Sequence, residues 1–143
     1  MFKVLSRVDE IELKKYPISS QTLAIGDLLD RGVGATTWTV CTASSVFFTR
    51  KVIAYEAVTT SATEFLGYEV KGDEDVEATA DSTASADDNG DRMLLTDKDS
   101  VNNSGTDSDK ETACFIQDRL GKDSSHIIGR ILVGNGVNPD ATT

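Results

Sequence analysis

The sequence predicts a small, mainly β, single-domain protein, and three observations support this fold class. The chain has 143 residues, a length typical of one compact domain with its own core. Hydrophobic residues make up 38% of it while Thr, Ser, Asp and Gly are plentiful, a composition that disfavours long helices and favours short strands joined by loops. Segments rich in Thr, Val, Phe, Ile and Tyr recur along the chain, as they do in β proteins.

Residues 1–21 are predicted to form an extended N-terminal arm. Charged residues interrupt the apolar ones here, and Pro17 ends the stretch. The apolar spacing fits both alternating strand pieces and a helical stripe, and we expect a terminal segment this short to become ordered on a partner. The apolar side chains expected to contact that partner are Phe2, Val4, Leu5, Ile11 and Leu13.

Residues 22–137 are predicted to form the β-rich domain. Residues 35–60 contain TTWTV and VFFTRKVIAYEAV, which are strand compositions, and we expect them to supply most of the core. In residues 63–70 the apolar side chains alternate, as on a strand with at least one buried face. The later apolar segments, which we expect to return to the core, are residues 92–96, 114–117 and 127–133.

The acidic residues are concentrated in residues 73–111. This segment holds 13 of the 24 acidic residues and three of the 14 basic ones, so its formal charge of −10 equals that of the whole chain. Because these charges must face water, we expect long acidic loops at residues 80–91 and 97–111. Residues 138–143 are predicted to be a flexible tail.

The charge and hydropathy patterns argue against several classes of partner. Nucleic-acid binding needs a surplus of Lys and Arg to replace the counterions on the phosphate backbone, and this chain has none. We therefore expect no nucleic-acid partner. No apolar run is long enough for a signal peptide or a membrane span, which favours a protein made in the cytoplasm with no membrane contact.

The sequence offers little for catalysis. His126 is the single histidine, so any triad would need it, and no nucleophile or phosphate-binding motif is present. We expect Cys41 and Cys114 to be free thiols, because neither belongs to a metal-ligand or redox motif. The prediction is a protein that is not an enzyme and has no cofactor.

The acidic loops allow one alternative, a soluble calcium-binding or adhesion module. Clustered carboxylates repel one another until a hard cation bridges them. Loops started at Asp97 or Asp107 fail the EF-hand spacing, since Asn102 or Thr112 would occupy the glycine position. An irregular site remains open in this alternative, and its candidate ligands are Asp87, Asp88, Asn89 and Asp91.

Several segments, taken in order, resemble a group of tailed-phage head decoration proteins. They are LAIGDLL, KVIAYEAVTTSATEFLGYEV, DNGDRMLLTDKDSVNNSGTDSDKETACFIQ and the closing IIGRILV. The resemblance extends over residues 22–133 and includes no catalytic signature.

This resemblance implies a β-tulip or barrel-like decoration domain, often a homotrimer, on the outer surface of a bacteriophage capsid. Such a structural protein is a virion component that braces neighbouring major capsid protein subunits. The resemblance also implies that the arm at residues 1–21 becomes ordered on the shell. The expected partner of Phe2, Val4, Leu5, Ile11 and Leu13 is then the major capsid protein.

Overall fold

The computed structural model describes residues 1–106 and 110–139, and the prediction of a mainly β domain is confirmed. In these two ranges the chain forms eleven strands and two single-turn 3-10 helices, and no α-helix. The strands are β1 (Phe2–Val4), β2 (Lys14–Pro17), β3 (Leu28–Arg31), β4 (Thr39–Val40), β5 (Arg50–Ala54), β6 (Glu64–Glu69), β7 (Val76–Ala80), β8 (Arg92–Asp97), β9 (Ser100–Thr106), β10 (Ala113–Leu120) and β11 (His126–Ile131).

Five strands close into a barrel in the order β7, β11, β10, β8 and β9. Closure comes from a parallel pairing of β9 with β7, in which Thr79 lies opposite Ser100. Alternate residues point inward, so β7 and β11 place small or branched side chains in the barrel core. Strand β1 extends the barrel sheet by pairing antiparallel with the first half of β7.

The second sheet has the order β2, β6, β5, β3 and β4, and all of its pairings are antiparallel. The sheet is so strongly curled that its two edges nearly meet. Ile18, just after β2, forms a β-bridge with Trp38, just before β4. Inside the curl, Tyr16 packs edge-on against Trp38 with ring centroids 5.3 Å apart. This half-barrel therefore has an aromatic core of its own.

The second sheet separates the two cores, because its central strands bury both faces. Val52 and Ala54 belong to the aromatic cluster, whereas Ile53 between them packs into the barrel cluster. Leu28 and Leu29 divide in the same way on the neighbouring strand β3. Strands that are buried on both faces have continuous apolar sequences, and residues 52–54 (VIA) of β5 are such a sequence.

The prediction of an arm outside the domain differs from the structure. Residues 2–4 are strand β1 of the barrel sheet and residues 14–17 are strand β2 of the half-barrel. The alternation of Phe2 and Val4 places both side chains in the barrel core, where they are 1% and 3% exposed. The N-terminal segment therefore belongs to both sheets, and position 21 is not a boundary between an arm and a domain.

The prediction of a second acidic loop at residues 97–111 is wrong for most of that segment. Residues 100–106 form β9, with Val101 fully buried in the barrel. Asn103 is also buried. Its side-chain amide accepts a hydrogen bond from the Ser82 N–H and donates one to the Ser82 carbonyl, which satisfies both of its polar atoms. Residues 107–109 and 140–143, the latter in the predicted tail, lie outside the described residues.

Candidate functional site

A groove lies where the barrel meets the half-barrel, and Gly26 is one of the residues that line it. The Phe2 N–H donates to the Gly26 carbonyl and the Gly26 N–H donates to the Ala54 carbonyl, each at 2.8 Å, so this residue links β1 to β5. Gly26 has a φ of +91°, and a Cβ there would collide with the Met1 side chain. The positive φ, which L side chains rarely adopt, therefore favours glycine at this position.

The groove is mostly apolar, is open to solvent on one side and has a volume of about 460 Å³. Phe2, Val4 and Ile53 form a buried floor, whereas Val8 and Ile25 on the walls are each 55% exposed. The full set of lining residues is Met1, Phe2, Lys3, Val4, Val8, Ile11, Leu13, Ile25, Gly26, Ile53, Ala54 and Tyr55.

One wall of the groove is the strap, residues 6–13, which runs from the barrel to the half-barrel. Its start is fixed to the turn before β7, since the Leu5 N–H donates to the Asp75 carbonyl at 2.8 Å and the Asp75 N–H donates to Ser6 Oγ at 2.9 Å. Arg7 adds an exposed 2.8 Å ion pair with Asp73, whose pKa it lowers. The strap is therefore anchored before it turns at Val8–Glu10.

The five apolar residues predicted to contact a partner have different environments. Phe2 and Val4 are part of the core and cannot be buried a second time on a partner. Leu13 and the half-buried Ile11 line the groove, while Leu5 is 36% exposed and lies outside its lining. The sequence reasoning did not select Ile25, whose only signal was an apolar residue beside a glycine.

Lys3 is the only charged side chain among the described residues that line the groove. Its side chain is exposed, and no ion pair to it occurs in the part of the chain that the structure describes. On β1, Lys3 lies directly opposite Glu77 of β7, on the face of the strand away from Phe2 and Val4.

The proposed calcium ligands do not converge. Asp87 and Asp88 lie in a 3-10 turn capped by Ser85 Oγ, which accepts from the Asp87 N–H at 3.2 Å. Asn89 Oδ1 accepts a 2.9 Å hydrogen bond from Gln117, so this oxygen fastens the loop to β10. Among residues 1–106 and 110–139, no group of three or more His, Cys, Asp or Glu side chains is placed to hold a metal ion.

His126 has a local partner. Its Nδ1 lies 2.6 Å from Asp123 Oδ1, and the Ser125 N–H donates to the same oxygen at 2.9 Å. These bonds hold the turn between β10 and β11 and lower the pKa of Asp123. The contacts of His126 are therefore those of a residue that stabilises this turn.

A second cluster of titratable groups surrounds Lys51, which is fully buried. Its Nζ donates to the Val46 carbonyl at 2.8 Å and to Thr49 Oγ1 at 3.0 Å, and this hydroxyl in turn donates to Asp30 Oδ2 at 3.2 Å. Burial lowers the pKa of Lys51 and raises the pKa of Asp30. The ammonium thus holds the loop before β5 in place.

Both cysteines are free, buried thiols near this cluster. Burial raises the pKa of Cys114 to about 11 and raises the pKa of Cys41 well above its ordinary value. The Cys114 thiol donates to the Ser45 carbonyl at 3.1 Å. Thiols that stay protonated and enclosed are poor nucleophiles, so this cluster is structural.

No family model, curated protein or solved structure matches the chain. Within the described ranges, no helix is both long and apolar enough to cross a membrane. The groove is the strongest candidate for a functional site because it is an apolar recess between the two sheets with exposed Val8 and Ile25 on its walls.

Proposed function

We propose that the protein is a decoration protein of a tailed-phage head, which binds the outer surface of the capsid and stabilises contacts between major capsid protein subunits. Its proposed partners are the major capsid protein and further copies of itself in a homotrimer. The observation that carries the proposal is the exposed apolar groove between the two sheets.

Four of the eight large apolar side chains that are exposed among the described residues line this groove. The most exposed ones on its walls are Met1 at 49%, Val8 at 55%, Leu13 at 40% and Ile25 at 55%. Apolar side chains that are clustered and left in water mark interaction surfaces, whereas scattered ones need no explanation. Burial of these groups on a partner favours association by the hydrophobic effect.

The groove is suited to bracing a shell because both sheets form it. A partner seated there contacts the strap, which connects the two sheets, and also Ile25 and Tyr55, which lie next to strands of the half-barrel. The same groove contact, repeated over a capsid lattice, gives many contacts that act together. The affinity of one copy for the capsid therefore need not be high.

The acidic residues fit the outward face of such a protein. A surface with a large net charge of one sign keeps particles apart in solution. The loop between β7 and β8 contributes exposed carboxylates, among them Asp81 and Asp87.

Particles prepared without this chain provide a direct test. We expect the purified protein to bind them to saturation and to raise the temperature at which they release DNA. Binding and stabilisation should be lost with a Val8→Asp, Ile25→Asp double variant and kept with Val33→Asp, a matched change at a 75% exposed residue in the turn after β3. Failure of the wild-type protein to bind would contradict the proposed function.

A further inference from the structure

We propose that Asn89 is a deamidation site, that the folded protein keeps this site closed, and that Gln117 is the residue that closes it. The Asn89-Gly90 dipeptide lies in the loop between β7 and β8, and both of its residues are exposed to solvent. Deamidation there adds one negative charge to an already acidic loop. The proposal is independent of the proposed function.

The chemistry of an Asn-Gly sequence makes this position susceptible. The backbone nitrogen of the glycine loses its proton and forms a bond to the side-chain Cγ of the asparagine, while the Cγ–Nδ2 bond breaks and ammonia leaves. Water then opens the cyclic imide at one of its two carbonyl groups, which gives aspartate or isoaspartate. Because glycine has no Cβ to hinder the approach of its nitrogen, Asn-Gly is an especially reactive sequence.

Gln117 holds both reacting groups of the dipeptide in an unproductive arrangement. The Gly90 N–H donates to the Gln117 carbonyl at 2.7 Å, and Asn89 Oδ1 accepts from Gln117 Nε2 at 2.9 Å. Asn89 also has an extended ψ of 128°, which turns the Gly90 nitrogen away from its side chain. Attack requires the reacting atoms to approach to about 3–3.5 Å in the correct orientation. The backbone must therefore rotate, and the bonds to Gln117 must break first.

Gln117 can hold the turn because it is itself fixed. It lies in β10, a strand paired on both sides in the barrel sheet, and its side chain is fully buried. Its Nε2 also donates to the Ser85 carbonyl at 2.8 Å, and its backbone N–H donates to the Asp91 carbonyl at 3.1 Å. The loop must separate from β10 before Asn89 can react. The rate of deamidation therefore follows the fraction of molecules in which this loop is open.

A second Asn-Gly sequence, Asn135-Gly136, provides a comparison within the same molecule. The Gly136 N–H donates to the Phe48 carbonyl at 2.7 Å, which resembles the bond at Gly90. Asn135 Oδ1, however, accepts from the Val137 N–H at 3.1 Å, a bond within the same turn. A local bond does not tie the side chain to another strand as Gln117 does for Asn89. We therefore expect Asn135 to deamidate faster than Asn89 in the folded protein.

The first test measures deamidation at both asparagines by peptide mass spectrometry after incubation in mildly alkaline buffer. Asn89 of the folded wild type should react at least about tenfold more slowly than Asn89 of the urea-unfolded protein, because only the open loop reacts. It should also react more slowly than Asn135 of the same folded sample. Equal rates for Asn89 in the folded and unfolded protein would overturn the proposal.

A Gln117→Leu variant tests the role of the side chain. It removes the Nε2 donor, and the rate at Asn89 should rise by about three- to tenfold, the effect of losing a buried hydrogen bond. The matched variant Gln21→Leu loses side-chain bonds to the backbone of Trp38 and Val40 in the half-barrel and should leave the rate at Asn89 unchanged. An equal rate at Asn89 in Gln117→Leu and wild type would overturn the assignment of Gln117.

Hydrogen exchange in the wild type provides a test that does not depend on how well a variant folds. The Gly90 amide should exchange with deuterium at least about tenfold more slowly than in the unfolded chain, since its N–H is bonded to the Gln117 carbonyl. Exchange of Gly90 at the rate of the unfolded chain would show that the turn is open in solution and would overturn the proposal.

Discussion

The phenol of Tyr68 donates a 2.5 Å hydrogen bond to Oε2 of Glu74, a carboxylate that is only 2% exposed although it lies in the acidic segment. The same carboxylate accepts from the backbone N–H groups of Lys71 and Gly72. Burial, and then the bond to Glu74, raises the pKa of Tyr68. The buried Glu74 carboxylate thus fixes the turn before β7 through these hydrogen bonds, and Asp75 in the same turn anchors the strap beside the groove.

We expect Glu74→Gln to destabilise the protein by about 2–3 kcal/mol, since an amide cannot accept from all three donors and bonds to charged groups are the stronger ones. Urea unfolding at pH 7 measures the change. Asp87→Asn, at an exposed position in the β7–β8 loop, serves as the control and should shift stability by less than about 0.5 kcal/mol. Equal stability of Glu74→Gln and wild type would contradict the structural role of Glu74.

Gly26→Ala should destabilise the protein by about 2–4 kcal/mol, because a Cβ would add a collision with Met1 to the strain of a positive φ. Gly90→Ala is a matched control, since its φ of +90° is nearly the same but its Cβ would meet no atom within 4 Å. The difference in free energy of unfolding between the two variants isolates the close approach at the groove. Identical losses would show that Met1 moves aside freely.

Lys51→Met should cost about 2–4 kcal/mol, because the Val46 carbonyl and Thr49 would lose their donor and the nearby Asp30 would lose a cation. Lys15→Met, whose side chain is 69% exposed, should change stability little. The pKa of Lys51 is lowered, so between this folded-state pKa and the unfolded value of about 10.5 the folded state binds fewer protons than the unfolded state. Its contribution to stability therefore rises with pH up to that value, and the variant should lack this rise.

The Cys114 thiol should make the protein less stable in alkali. Burial raises its pKa from 9.0 to about 11, so above pH 9 the unfolded state loses this proton while the folded state keeps it. Stability should fall between pH 9 and pH 11, by about 2–3 kcal/mol for this group. Cys114→Ala should flatten that part of the curve, measured by urea unfolding under reducing conditions. An unchanged slope would contradict the burial of the thiol.

Much of the fold could be predicted from the sequence because local composition determines it. Strands β5 and β6 fall within segments that the apolar pattern had identified, and strands β8, β10 and β11 overlap such segments. The spacing of Phe2 and Val4 was compatible with a strand, but the pairing of β1 with β7 could not be predicted, since the two strands lie more than seventy residues apart in the sequence. The burial of Asn103 and Glu74 was equally hidden, because polar side chains become core residues only when the folded chain supplies their hydrogen-bond partners.

The candidate site could be predicted only in part. Ile11 and Leu13 were selected as contact residues and do line the groove. Ile25 lies on the opposite wall and joins them only because the Gly26 backbone ties β1 to β5. A groove made from two sheets is a product of tertiary structure, so no single segment of sequence could reveal it.

The most direct test of the decoration role is quantitative mass spectrometry of purified virus particles from the source of this chain. The account predicts a number of copies close to that of the major capsid protein, about one for each subunit of the lattice. Absence of the chain from purified particles would contradict it.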